Sequence, residues 1–134
     1  AALFDHLVVL VSSAGRKTLF SAEERTAFVA AAIAQLENVS IELFDGLLVS
    51  EARRHGATVL VRGVRGAHDW DYEMQMAFAN RRLEPTIDTV FLPPSSNMTL
   101  VSGSLVREVA SLGGDVSSWV PAPVEAALKA KFGG

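Results

Sequence analysis

Residues 58–66 read Thr-Val-Leu-Val-Arg-Gly-Val-Arg-Gly, an apolar, β-branched run that ends abruptly in arginine and glycine. A short run of this kind, bounded by turn residues, is typical of a strand buried on both faces of a parallel sheet. Asp69–Leu83 follows, with acids in its first turns and with Arg81 and Arg82 in its last turn, as a helix dipole favours. The stretch therefore predicts a strand over Thr58–Arg62 and then a helix.

The same strand-then-helix alternation extends outward in both directions. Ser21 and Glu24 have the spacing of a capping box, in which each side chain accepts a hydrogen bond from the other residue's backbone N–H, and they predict a helix start. Strands alternating with helices predict an α/β fold, a parallel sheet with helices on both faces, and the length of 134 residues suits one domain over residues 1–134. The other predicted strands are His6–Val11, Val39–Leu43 and Thr89–Leu92, and the other predicted helices are Leu47–His55, Ser102–Leu112 and Pro121–Phe132. Gly46 suits a tight turn before the first of these helices, and Gly113 and Gly114 end the second.

Composition excludes several classes of protein. With 49% hydrophobic residues and a net charge of -3, the chain can form a core and lacks the basic footprint of a nucleic-acid-binding protein. Its lack of cysteine excludes disulfides, thiol catalysis and cysteine-bound metal, and its three histidines lack the spacing of a metal site. No apolar run is long enough to span a bilayer. We expect a cytoplasmic protein that binds neither nucleic acid nor membrane.

The carboxyl ends of the strands are where ligands bind in open α/β sheets. Arg62 ends the third predicted strand and Arg65 follows three residues later, with Gly63 and Gly66 allowing the backbone to approach an anion closely. Because the guanidinium is a planar fork suited to phosphate, these residues predict a phosphate site. The alternative is that both arginines pair with the acids of the next helix, which are Asp69, Asp71 and Glu73.

Two further loops favour anions. Arg16 and Lys17 are adjacent cations in the loop after the first strand, where the alternative is a solvated loop. The loop Pro93–Ser104 after the fourth strand ends in a hydroxyl-rich helix start, whose free N–H groups attract anions; the alternative there is plain capping by serine. Together the loops predict a site for a ligand with several phosphates, which acts through positioning and charge stabilisation.

Several segments resemble the bacterial phosphopantetheine adenylyltransferases. The resemblance implies a Rossmann-like nucleotidyltransferase fold and transfer of the adenylyl group of ATP to 4'-phosphopantetheine, giving dephospho-coenzyme A and pyrophosphate in coenzyme A biosynthesis. It also implies Mg²⁺, a homohexamer and a cytoplasmic location. Two alternatives are another adenylyltransferase of the same superfamily and a nucleotide-binding module without catalysis. The matching segments are Leu19–Arg25, Phe44–Val49, Thr58–Arg65, Asp71–Ala77, Ser102–Ala110 and Gly113–Ser117.

The resemblance also implies roles for individual residues. Arg16, Lys17 and Arg65 would be catalytic, and Arg16, Leu48 and Arg62 would contact phosphopantetheine. The residues that would bind ATP are Gly63, Val64, Arg65, Glu73, Met98, Thr99, Leu100, Val101, Ser102, Gly103 and Ser104.

The chain departs from the family pattern at three places. The cationic loop is one residue shorter, and counting back from Phe20 puts Arg16 in the place of the family's functional lysine. The family's Ser-Ser-Ser run is Ser102-Gly103-Ser104 here, which removes one hydroxyl. The family begins with a strand, a loop containing Thr-x-Gly-His and a helix, and we expect this βα part to precede Ala1 in the complete protein.

Overall fold

The computed structural model describes residues 1–13 and 18–133. Four strands and five α-helices alternate across those residues, and a single turn of 3₁₀ helix covers Ser96–Met98. In chain order the elements are β1 (Leu7–Ser12), α1 (Ala22–Ile33), β2 (Val39–Phe44), α2 (Leu48–Arg54), β3 (Val59–Gly63), α3 (Ala67–Leu83), β4 (Asp88–Leu92), α4 (Gly103–Ser111) and α5 (Ala122–Phe132).

The chain forms two compact units. The first unit combines Ala1–Asp45 with Gly103–Gly134, and the second is Gly46–Ser102. Each unit contains one two-stranded parallel sheet, made of β1 and β2 in the first and of β3 and β4 in the second. The alternation of elements and the parallel pairing confirm the predicted α/β class. The single domain over residues 1–134 stays a prediction.

In the first unit, β1 and β2 pair in parallel along all six residues of each strand. Helix α1 connects them, as a parallel pair requires, and packs against both strands. It begins at the predicted capping box. The N–H of Ser21 donates to Glu24 Oε2 at 2.6 Å, and the N–H of Glu24 donates to Ser21 Oγ at 3.1 Å.

Two glycines end α4, as the sequence predicts. Gly113 has φ +79°, in the left-handed region where a side chain would be strained. At Gly114 the constraint is space, because a Cβ there would lie 2.5 Å from Val109 Cγ1 and 3.1 Å from the Val109 carbonyl oxygen. The turn therefore requires glycine at both positions, for two different reasons.

The second unit has its own apolar core, formed by Val49, Ala52, Leu60 and Ile87, each no more than 7% exposed. These residues come from α2, from β3 and from the position just before β4, so burying them joins the helix to the sheet. Helix α3 begins two residues before the predicted start, because the N–H groups of residues 69 and 70 both donate to the carbonyl of Gly66.

The prediction that the strands are buried on both faces is wrong for most of their residues. In β1 only Val11 is buried, and in β3 only Leu60; the other strand residues are half-buried or exposed. The faces of a strand are buried by the elements that pack against the sheet, and an apolar run alone does not reveal whether both faces are covered.

Among the described residues, no helix is both long enough and apolar enough to cross a membrane.

Candidate active site

Arg62 lies near the end of β3, and Glu73 of α3 engages its guanidinium at two points. Nε donates to Glu73 Oε2 and Nη2 donates to Oε1, both at 2.7 Å. The Glu73 side chain is 11% exposed and that of Arg62 is 41% exposed. These hydrogen bonds raise the pKa of Arg62 above its ordinary value. Arg62 therefore carries its charge at a fixed position at the carboxyl end of the strand.

Arg65 is held by Asp69, which lies in the first turn of α3. Its Nε donates to Asp69 Oδ2 at 2.9 Å and its Nη2 to Oδ1 at 3.2 Å, and these bonds raise the pKa of Arg65. The third side-chain contact of Arg65 is to the backbone and not to a carboxylate, since Nη1 donates to the carbonyl of Val101 at 2.8 Å. Arg65 thereby ties the loop after β3 to the segment that follows the 3₁₀ turn.

Gly63 and Val64 link these two arginines. The N–H of Val64 donates to the carbonyl of Leu92 at 3.0 Å, which continues the ladder between β3 and β4 by one residue. A Cβ at Gly63 would meet nothing within 4 Å. The backbone at Gly63 is therefore open to close approach, as the prediction of an anion site requires.

This geometry bears on both alternatives for the arginines, phosphate binding and pairing with the acids of α3. The structure pairs Arg62 with Glu73 and Arg65 with Asp69, while Asp71 is exposed and pairs with neither arginine. Ion pairing does not exclude phosphate binding, because a guanidinium has five N–H donors and Glu73 engages only the Nε and Nη2 atoms of Arg62. The pairs fix the two cations, and phosphate binding by them stays a prediction.

The predicted ATP segment, Met98–Ser104, crosses the boundary between the two units. In the second unit, the N–H of Val101 donates to the carbonyl of Met98 at 3.2 Å, and Leu100 is 85% exposed. In the first unit, Gly103 and Ser104 form the start of α4, where a Cβ at Gly103 would lie 3.3 Å from a guanidinium nitrogen of Arg107. Apart from Arg65 with Val101, the described contacts do not connect this segment to the arginines.

The remaining predicted residues have different outcomes. Leu48 opens α2, and its half-buried side chain packs against the core of the second unit. Gly46 precedes it at φ +106°, so the predicted tight turn before this helix is confirmed. Arg16 and Lys17 lie outside the described residues, and their roles stay predictions.

Arg25 has no role among the sequence predictions, yet its Nη2 donates to the carbonyl of Ser12 at 2.7 Å. Ser12 is the last residue of β1, directly before the cationic loop. A signal was present, because Arg25 falls in the first turn of α1, where the helix dipole disfavours a cation. A cation at such a position suggests that its side chain donates to a hydrogen-bond acceptor outside the helix.

Comparison with known proteins agrees with the fold and with the motifs. The cytidylyltransferase-like family matches residues 1–109. A phosphopantetheine adenylyltransferase of Methylococcus capsulatus is 46% identical over 133 residues, which are 98% of this chain and 82% of that protein. One from Herpetosiphon aurantiacus is 48% identical over 131 residues, 97% of this chain and 79% of that protein. One from Brucella suis is 46% identical over 136 residues, 97% and 83% of the two chains.

Such identity over nearly the whole chain, together with the α/β alternation and parallel strands, establishes the relationship. The chain belongs to the phosphopantetheine adenylyltransferases, within the cytidylyltransferase-like family.

Proposed function

We propose that this protein transfers the adenylyl group of ATP to 4'-phosphopantetheine, releasing pyrophosphate and forming dephospho-coenzyme A. Membership of the family supports this reaction. One structural observation carries it: Arg65 is held by Asp69 and bonded to the Val101 carbonyl, so a charged guanidinium sits between two segments predicted to bind ATP.

The reaction requires that the two substrates be aligned and that the charge on the leaving group be stabilised. A phosphate oxygen of phosphopantetheine attacks the α-phosphorus of ATP, and the bond from that phosphorus to the bridging oxygen breaks. Pyrophosphate leaves with the electron pair. The attacking oxygen is already an anion, so the protein need not remove a proton from it. Its task is to bring two anions together and to stabilise the charge that moves to the leaving group.

On the ATP side, we assign this stabilisation to Arg65, with Gly63 and Val64 supplying open backbone beside it. The Asp69 contacts hold the guanidinium before substrate arrives, so little reorganisation is needed at the moment of reaction. Arg16 and Lys17 would add charge at the same phosphates. Glu73 and the segment Met98–Ser104 complete the proposed ATP site.

On the acceptor side, we assign the phosphate of phosphopantetheine to Arg62. Its Nε and Nη2 donors are taken up by Glu73, and no other hydrogen bond of Arg62 occurs among the described residues, which leaves Nη1 for a phosphate oxygen. Leu48 would offer apolar surface to the pantetheine arm. Its packing against the core of the second unit fixes where that surface lies.

Magnesium enters this proposal as part of the substrate. The carboxylates beside the two arginines, Asp69 and Glu73, are both engaged by guanidinium groups and do not suit a metal held by the protein. Mg²⁺ readily binds substrate phosphates while it keeps most of its waters. The nucleotide substrate is therefore proposed to be the magnesium complex of ATP.

We also propose a homo-oligomer, a hexamer by analogy with the family, that works in the cytoplasm where its substrates occur. Helix α3 supports an assembly, because Tyr72, Met76 and Leu83, which share one face of it, are 38–58% exposed. Exposed apolar patches often mark interfaces. Light scattering coupled to size-exclusion chromatography measures the mass directly, and a monomer at micromolar concentration would refute the assembly.

The reaction is tested by incubating the protein with MgATP and 4'-phosphopantetheine and following pyrophosphate release and dephospho-coenzyme A by mass spectrometry. We expect both products in equal amounts. Nicotinamide mononucleotide as acceptor tests the alternative adenylyltransferase. Titration calorimetry with ATP tests the alternative of a binding module, which would bind the nucleotide without forming either product.

A further inference from the structure

Asp69 holds both the backbone and the side chain of Arg65. Its Oδ2 accepts hydrogen bonds from the backbone N–H of Arg65 at 3.2 Å and from Nε at 2.9 Å, and its Oδ1 accepts one from Nη2 at 3.2 Å. One carboxylate therefore fixes two parts of the same residue, the peptide unit where its side chain starts and the guanidinium where it ends. Both parts depend on the same acid.

Asp69 is itself fixed by the start of α3. It is the third residue of that helix, after the N-cap Gly66, and its backbone N–H donates to the Gly66 carbonyl at 3.1 Å. The helix dipole favours a negative charge in this first turn. An acid at the third position commonly reaches back to the backbone of the N-cap residue. The Asp69 carboxylate reaches one residue further back, to the N–H of Arg65, so the helix start places the arginine.

The contacts of Arg65 leave two of its side-chain donors available. A guanidinium has five N–H groups. Asp69 takes the one on Nε and one on Nη2, and the carbonyl of Val101 takes one on Nη1. Within residues 1–13 and 18–133 no other acceptor bonds to this guanidinium, so one N–H remains on each terminal nitrogen. Because the group is planar and rigid, the bonds to Asp69 determine the direction in which these two donors point.

We infer that Asp69 is a positioning residue for adenylyl transfer, which acts on the phosphates of ATP only through the orientation of Arg65. The inference rests on the proposed function, in which Arg65 stabilises charge on those phosphates. Without the Asp69 carboxylate, Arg65 would keep its bond from Nη1 to the Val101 carbonyl. Its charge would stay near the phosphates, but the guanidinium would be free to turn about that bond.

Losing the Asp69 carboxylate should affect catalysis and binding differently. Stabilisation of a transition state requires donors that are already aimed at the developing charge, so a guanidinium that turns freely should lower kcat. Removing a negative charge beside a phosphate site makes the site more positive, which favours the binding of an anion. The KM for ATP should therefore not rise with the loss of kcat. A merely structural acid would change only the fraction of enzyme that is folded.

The test compares the wild-type enzyme with Asp69→Asn, Arg65→Ala and the double variant, with Asp71→Asn as a matched control. Asparagine has the size of aspartate without its charge. Asp71 is exposed on the same helix and pairs with neither arginine, so its variant loses the same charge two residues away. We expect Asp69→Asn to lower kcat about tenfold or more, with each KM changed less than about threefold. In the Arg65→Ala background the same change should lower kcat less than about twofold, because Asp69 acts through Arg65. Asp71→Asn should match wild type.

Three results would overturn the inference: wild-type kcat in Asp69→Asn, an equal loss of kcat in the presence and absence of Arg65, and a loss that merely follows the folded fraction measured by circular dichroism. If Asp69→Asn does not fold, Asp69→Ser decides by the same criteria, since serine is compatible with a helix start. A wild-type enzyme that forms no dephospho-coenzyme A would refute the proposed function, and the inference with it. A wild-type enzyme that turns over alongside a fully active Asp69→Asn variant refutes the inference alone.

Discussion

Breaking the pair between Arg62 and Glu73 should destabilise the second unit more than breaking an exposed pair of similar length. Glu73 is 11% exposed, so Arg62→Met leaves a nearly buried carboxylate without its partner. Charge-assisted hydrogen bonds contribute about 1.5–3 kcal/mol, and screening at the 41% exposed Arg62 side chain places the pair near the lower end. We expect a coupling free energy of about 1.5–2 kcal/mol.

The measurement is a double-mutant cycle of Arg62→Met and Glu73→Gln in urea. The control cycle uses Arg81→Met and Asp88→Asn, a pair 2.6 Å apart with side chains 65% and 63% exposed. Exposed pairs contribute about 0.2–1 kcal/mol. A Trp119→Phe background leaves Trp70, whose ring centroid lies 5.2 Å from that of Phe91, as the fluorescent reporter within the second unit. With a slope of about 2 kcal/mol/M, this coupling corresponds to about 0.75–1 M of non-additivity among the midpoints of the Arg62–Glu73 cycle. Equal coupling in the two cycles would refute the reasoning.

Three further predictions concern other parts of the chain. Arg65→Ala should raise the KM for ATP and lower kcat, each about tenfold, through loss of a charge-assisted phosphate contact; unchanged steady-state kinetics would contradict the assignment. Arg16→Ala should lower kcat more than Lys17→Ala does. If Lys17→Ala has the larger effect in the same assay, Lys17 and not Arg16 takes the place of the family's functional lysine. Gly114→Ala should cost about 1–3 kcal/mol in the free energy of unfolding, since its Cβ would lie 2.5 Å from a side-chain carbon of α4. Gly66→Ala, with nothing within 4 Å of its Cβ, is the control, and equal urea midpoints would argue against the close approach.

The sequence predicts the elements well because their signals are local. The capping box at Ser21 and the glycines after α4 act within one turn of backbone, and the structure has them where they were predicted. Strand burial and the contact from Arg25 to Ser12 depend on which segments meet in space. Those residues are 13 positions apart, and no spacing rule connects them.

The pairing of the two arginines could be predicted only as one of two alternatives. The sequence contains both the cations and the acids of α3, and either phosphate or carboxylate satisfies a guanidinium. Which acid forms an ion pair with which arginine depends on how α3 is rotated about its axis relative to β3. The structure selects Glu73 for Arg62 and Asp69 for Arg65 and leaves Asp71 unpaired with either arginine.

This selection has a geometric cause with a consequence for the reaction. Asp69 and Glu73 are four residues apart, so both carboxylates lie on the same face of α3, whereas Asp71 lies on another face. One rigid helix therefore holds both guanidinium groups, one proposed to bind each substrate. The distance between the cations is set by the rise of α3, about 6 Å over four residues, together with the three-residue step along the chain from Arg62 to Arg65. If both phosphates bind there, the spacing at which the two substrates meet is determined by α3 before either substrate arrives.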